Sequence, residues 1–223
     1  MRIILYCFLA TSSLIGCSNV ETVENKDDNG VLIERYSRKK DSFAKHGPYF
    51  SYHPNGQVME QSTYKDDVLQ GETKVFFENG KLDYVEHYKN GKYEGLYQKY
   101  FENGQLSNEG QYVDNAMSGI WKRWYKTGEL REEVTFADNN ENGPFKEFHK
   151  NGKPKTEGVY VNGDNEQGEL KMFDENGDLI QKMYCEYGVC AASWKAGEGD
   201  IEVDTAKIKR LAELKRNAEM RGN

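Results

Sequence analysis

The stretch GETKVFFENGKLDYVEHYKNGKYE, residues 71–94, opens on a glycine and reaches an aromatic pair, Phe76 and Phe77, five and six residues later. Asn79-Gly80 follows, then Leu82 and Tyr88, before the next opening glycine at Gly95. The spacing recurs along the chain. Gly47, Gly71, Gly95, Gly119, Gly143 and Gly168 stand 24, 24, 24, 24 and 25 residues apart, and nine residues after each comes Gly56, Gly80, Gly104, Gly128, Gly152 or Gly177. A fixed period of roughly 20 to 50 residues marks an array that grows in one dimension, in which each unit packs on its neighbours.

Counted from the opening glycine, position five is aromatic in every copy: Tyr52, Phe76, Tyr100, Trp124, Phe148, Phe173. Position seventeen is Tyr64, Tyr88, Tyr112, Phe136, Tyr160 and finally Cys185, and position eleven is Val58, Leu82, Leu106, Leu130, Pro154 and Leu179. Two short apolar runs flank Asn-Gly, or Thr127-Gly128 in the fourth copy. This reads as a β-hairpin, because a two-residue turn that matches strand twist needs positive φ at both central residues, which Asn and Gly accept. Glycine at this frequency also breaks any helical stripe. Each unit is therefore expected to turn at its Gly56-type glycine and to return near the opening glycine through a looser turn carrying Asp, Asn or Gly. Chained hairpins make an antiparallel meander whose equivalent residues lie about 9.6 Å apart, two strands along, so that the aromatic columns become ladders. Adjacent aromatics at positions five and six leave open which face each ring takes. Pro154 gives up a ladder donor and is expected at a gap or bulge. Asn29-Gly30, with Leu32 and Tyr36, resembles the second half of a further unit and so a leading edge strand.

The units resemble MORN repeats in the variant common in bacterial proteins, on their Gly, aromatic pair, Asn-Gly, Leu and Tyr spacing over about residues 47–190. The resemblance implies an elongated sheet that serves as an interaction scaffold. Some bacterial members are labelled antitoxins, and some eukaryotic members have been linked to membranes. It carries over no catalytic residue and no cofactor. The expected fold is all-β, an elongated antiparallel meander of about six hairpin repeats with a short C-terminal α-helix.

The N-terminus reads differently. Arg2 precedes a mostly apolar run from Ile3 to Ile15, too short to span a bilayer and typical of a signal sequence. Leu14-Ile15-Gly16-Cys17 looks like a bacterial lipobox, in which the chain is cut before Cys17 and that thiol carries acyl chains. A plain secretory signal with an incidental Cys is the other reading. Ser18 after the lipidated position favours an outer-membrane anchor facing the periplasm or cell surface. The domain plan is a signal peptide over 1–16, a flexible acidic tether over 17–29, the repeat array over 30–190, and a linker with a capping helix over 191–223. The formal net charge of −7 disfavours a nucleic-acid partner.

Cys185 and Cys190 remain as an even pair suited to an oxidising compartment. Extended chain would hold them roughly 17 Å apart, so a disulfide requires a turn between them, for which Gly188 is placed. Half of a metal site is the alternative, but no nearby His or Cys completes it. Asp204 can cap a helix presenting Ile208, Leu211, Leu214 and Ala218 on one side, either to cover the last sheet edge or to rest on anionic lipid.

No metal site is expected among the histidines, since His53 and His149 share position six four repeats apart, about 38 Å on a straight sheet. No nucleophile elbow, zinc-protease helix or phosphate-cradling loop is present, and no catalytic residue is assigned. Lys74, Lys122, Lys146 and Lys171 share position three and form a candidate stripe for an acidic partner, or else a solvent-facing column. These readings together point to a lipid-anchored, non-enzymatic scaffold that binds a protein partner, with an exported toxin one such partner. Envelope spacing and lipid recognition are the alternatives.

Overall fold

The computed structural model describes residues 19–222. Among them, 19 strands form one antiparallel sheet, and a single helix, α1 (Thr205–Gly222), ends the chain. Consecutive long strands pair throughout, from β1 (Val20–Lys26) and β2 (Leu32–Lys39) to Leu179–Glu186 and Val189–Lys195, so the sheet is a meander without crossovers.

The two kinds of turn are exchanged relative to the sequence expectation. At Asn55-Gly56, the N–H of His53 donates to Gln57 O and that of Gly56 to His53 O, each at 2.8 Å. Gly56 has a φ of 83°, while Asn55 is absent from the positive-φ residues. This is a type I turn closed by a left-handed glycine, rather than a two-residue turn with both residues left-handed. The Asn stays right-handed because its side chain is engaged in the turn: Asn55 Oδ1 accepts from the N–H of Gln57 at 2.9 Å, and Asn79, Asn103 and Asn151 repeat the contact. The tight two-residue turns lie at the opposite margin, at Asp66-Asp67, Asn90-Gly91, Asp114-Asn115, Asp138-Asn139, Asn162-Gly163 and Tyr187-Gly188, every one of these residues having positive φ.

The opening glycines are thus not where the chain reverses. They sit at a bulge beyond the turn, inside the following strand at Gly47, Gly119 and Gly143 and at the start of its longer segment at Gly71, Gly95 and Gly168. Glu109 pairs with Lys122 but Gln111 pairs with Ser118, leaving three residues, Gly119 to Trp121, against Gly110 alone. A second bulge follows each Asn-Gly turn: Ser51 pairs with Glu60 and Tyr52 with Val58, which leaves Met59 over on the returning strand. Pro154 begins its strand at the equivalent bulge, opposite Phe148, where no interior ladder donor is forfeited.

The expected tether over 17–29 is corrected in its described part. Residues 20–26 form β1, paired in register with β2 from Val20↔Lys39 to Lys26↔Leu32. An edge strand needs little apolar surface when its backbone is satisfied by a neighbour. Glu21 accepts from Arg38 at 2.8 Å and Asn25 donates to Glu34 at 2.6 Å, while Asp27 closes the same kind of turn around Asn29-Gly30. The leading hairpin is therefore complete, and β1 is the edge.

At the other end, Cys185 and Cys190 are directly opposed across the Tyr187-Gly188 turn, with Cα atoms 4.1 Å apart and their sulfurs bonded. Asp204 caps α1 through the N–H of Lys207 at 2.9 Å. The helix packs on the last two long strands by Ile208 and Ala212, while Leu211, Leu214 and Ala218 of the expected stripe stay exposed. Tyr187 explains the rotation. Its buried ring lies beneath Lys215 and Arg216, and its hydroxyl donates to Glu219 at 2.7 Å, drawing the 208–212–215–219 side onto the sheet. The main buried cluster, Trp121, Val134, Phe136, Phe145, Leu170 and Cys185, belongs to the later repeats.

Candidate binding faces of the sheet

Strand alternation and the register divide the side chains between two faces. One face carries positions two, fifteen and seventeen. Position two, which the sequence reading passed over, is Tyr49, Thr73, Tyr97, Trp121, Phe145 and Leu170. Thr73 and Leu170 interrupt its aromatic signature. A signal was nonetheless present in the strand-interior glycines Gly110 and Gly158, since such glycines mark close approach of a neighbouring group. A Cβ on Gly110 would lie 2.1 Å from the Trp121 ring, and one on Gly158 would lie 2.8 Å from Phe145.

The rings form a nearly continuous ladder. Tyr88–Tyr93, Tyr93–Tyr112, Tyr112–Trp121 and Trp121–Phe136 have centroid separations of 4.8, 5.1, 5.2 and 6.1 Å, and Phe145 stacks on Tyr160 at 3.9 Å. Most of these rings remain half-buried, because no second layer among the described residues covers the face over its length. Partial burial pushes the phenols of Tyr88, Tyr97, Tyr112 and Tyr160 up, Tyr97 to about 12, where the Glu86 charge adds to the effect. Burial also raises the Glu86 carboxyl, against the opposing hydrogen bond from Tyr88. Near the N-terminal end the ladder holds a cation of its own, Lys45 Nζ at 5.1, 4.5 and 5.2 Å from the centroids of Tyr36, Tyr49 and Tyr64.

The other face carries positions one, three, fourteen and sixteen. Here Lys74, Lys122, Lys146 and Lys171 do fall in one column, but carboxylates interleave with them. Lys122 and Lys146 pair with the cross-strand Glu133 and Glu157 at 3.1 and 3.2 Å, and Lys74 and Lys171 pair with Glu72 and Glu169 at 2.6 and 3.4 Å. Exposed pairs of this kind add little stability. Their consequence is cancellation: the lysines do not make an uncompensated basic stripe. Beside them Leu96, Ile120 and Val159 are exposed.

Both margins lock each repeat to the next. At the Asn-Gly margin, Asn55, Asn103 and Asn151 donate through Nδ2 to Glu78 O, Lys126 O and Glu175 O at 2.7, 2.9 and 2.6 Å. Position six reaches across as well, with Nε2 of His53 and of His149 bonded to Phe76 O and Phe173 O at 2.7 and 2.9 Å. At the tight-turn margin, Asn115 accepts from the N–H of Tyr93 at 2.8 Å and returns its own N–H to Tyr93 O at 3.0 Å. His46 contacts Asp66, and His87 Nδ1 lies 2.8 Å from Leu96 O. The histidines are thus dispersed into separate structural contacts.

The family model described as the MORN repeat variant matches residues 45–66, 69–90, 93–114, 117–138, 141–162 and 166–184, more than half of the chain. The chain belongs to the MORN repeat variant family. No curated protein matches it. The first five matched segments each end on the first residue of a tight turn, so the MORN unit here is the pair of strands between two tight turns, with its Asn-Gly turn in the middle. The β1–β2 hairpin precedes the first matched segment. The lipobox and Cys17 lie outside the described residues.

Proposed function

We propose that this MORN-repeat protein is a lipid-anchored, non-enzymatic scaffold that binds a protein partner in the bacterial envelope, and that its sharper role is neutralisation of an exported toxin. The observation that carries the reading is the open aromatic face, a ladder of half-buried tyrosines spread over several repeats. Aromatic rings that stay partly wet offer large contact area at low entropic cost, which suits recognition. The lipobox-like Leu14-Ile15-Gly16-Cys17 supports anchoring, and the Cys185–Cys190 disulfide suits an exported chain.

The anchor is tested by metabolic labelling with an acyl probe in cells producing the wild type or Cys17→Ala. Label on the wild type and none on the variant is expected; equal labelling would remove the anchor. The scaffold is tested by in-cell crosslinking of the full-length chain, with products of adjacent reading frames co-expressed as candidates. A specific crosslinked protein is expected. Protection of the cell from a toxic neighbouring product would support the immunity role, and unchanged sensitivity after gene loss would count against it.

A further inference from the structure

We infer that the aromatic face across the first three repeats, centred on the second and third, is a recognition site for lysine or arginine side chains of an extended basic segment, a reading that rests on the scaffold function and names the chemistry of its partner. The protein contains a precedent within its own sheet. Lys45 holds its ammonium among the rings of Tyr36, Tyr49 and Tyr64, at 4.5 to 5.2 Å from their centroids, within the range of cation–π attraction. The slot that Lys45 fills, two residues before the opening glycine, is Tyr93 in the third repeat. There the ring wall continues through Tyr88, Tyr93 and Tyr112 with no internal cation among the cation–π contacts of the described residues.

Carboxylates line the same region without counter-ions. Glu86 accepts from Tyr88 at 2.8 Å, and Glu60 accepts from Ser62 at 2.8 Å, but neither forms an ion pair among the described residues. Lys99, opposite Tyr84 on the neighbouring strand, pairs with neither. The contrast lies farther along this face, where Glu132 is paired with Arg123 and Glu147 with Lys155, both at 3.1 Å. Thr73 supplies an independent pointer. It takes the place of an aromatic at position two, is only 5% exposed, lies directly across from Glu86, and leaves Oγ1 without a hydrogen-bond partner. A buried polar atom without a partner calls for one. Burial also holds the Glu86 carboxyl above its ordinary range, a strain that an arriving positive charge relieves.

Two carboxylates and an unused hydroxyl demand N–H donors as well as charge. Ammonium and guanidinium groups have such donors, whereas the quaternary ammonium of a choline lipid has none, so a basic polypeptide is the better occupant.

The test is isothermal titration of the full-length chain in detergent with an alternating threonine–arginine decapeptide and its threonine–glutamate counterpart. The wild type is expected to bind only the basic peptide, more weakly as salt rises. Glu86→Gln and, separately, Glu60→Gln should each lower affinity about tenfold while thermal unfolding is kept or raised, and Lys122→Gln on the opposite face should leave affinity unchanged. Binding of the basic peptide unaffected by both glutamate substitutions, equal loss in Lys122→Gln, or no binding by the wild type would overturn the site. So would specific binding to phosphatidylcholine vesicles that the glutamate variants lose. Capture of a protein partner that is insensitive to both glutamate substitutions would overturn the site and leave the scaffold standing; peptide binding that depends on them, with no partner captured in cells, would do the reverse.

Discussion

Glycine serves two distinct purposes in this sheet, and substitution separates them. Gly152 holds a φ of 81°, and a Cβ there would meet no heavy atom within 4 Å, so only its backbone requires glycine. Gly110 is not left-handed, yet a Cβ there would strike the Trp121 ring at 2.1 Å. Ala is expected to destabilise at either site, by about 1–2 kcal/mol at Gly152 and about 1–3 kcal/mol at Gly110. Asn should restore most of the loss at Gly152, because it tolerates the left-handed region, and none at Gly110; urea midpoints of the four variants decide this. Asn103 is the residue-scale counterpart at the margin, serving its own turn through Gln105 N at 3.1 Å and the next repeat through Lys126 O at 2.9 Å. Asn103→Ala should cost about 1–3 kcal/mol, one modest contribution per bond, read from the same urea transitions. Glu86 gives a pH signature. Its folded carboxyl titrates above the ordinary value of 4.5, so the unfolded chain binds fewer protons and stability falls as pH rises from that value through the raised one. Glu86→Gln should therefore melt higher than the wild type at pH 7, with the advantage disappearing in acid below both values.

At the scale of strands and turns, the period itself was legible because glycine is the residue that enters left-handed positions at least cost, and six copies make the pattern unmistakable. Which glycine turns the chain was not legible. Asn-Gly suits a type I′ hairpin and a type I turn with a left-handed glycine equally well in composition, and the choice falls to Asn Oδ1, which caps the backbone two residues on and keeps the Asn right-handed. The tight turns hid behind varied pairs, Asp66-Asp67 and Tyr187-Gly188 among them, that share only a tolerance for positive φ. The binding face was partly hidden for a similar reason: Thr73 breaks the aromatic column at position two, and two bulges per repeat shift the parity on which a face assignment depends. The lysine column was legible, but its meaning was not, because Glu133 and Glu157 belong to a different position in the repeat and meet Lys122 and Lys146 only through pairing. Helix α1 was found by its cap, Asp204, while its buried side was decided by Tyr187, a residue outside the helix.

On the scale of the whole molecule, repeat and register are the same quantity. Excising residues 93–116 would join Lys92 to Met117, which occupies the slot that Tyr93 vacates, and preserves the alternation of tight and Asn-Gly turns. The shortened chain is expected to fold, with its maximum dimension in small-angle scattering reduced by about 9–10 Å, the width of two strands. Removing residues 93–115 instead should give a chain that fails to unfold cooperatively, since a one-residue slip sends each side chain to the wrong face.

The margin clamps have a mechanical corollary. The chain enters the sheet at β1 and leaves from the strand before α1, at opposite ends of the stack. Tension between the termini therefore pulls along the stacking direction, where the hydrogen bonds of one strand pair are loaded a few at a time instead of all together in shear. Strand pairs would part in succession from an end, each 24-residue unit releasing about 80 Å of chain from a folded thickness of about 10 Å. Held at both ends, the molecule would act as a yielding link that lengthens stepwise under load and rewinds when slack, a behaviour that optical-trap extension traces would display as a sawtooth of regular increments.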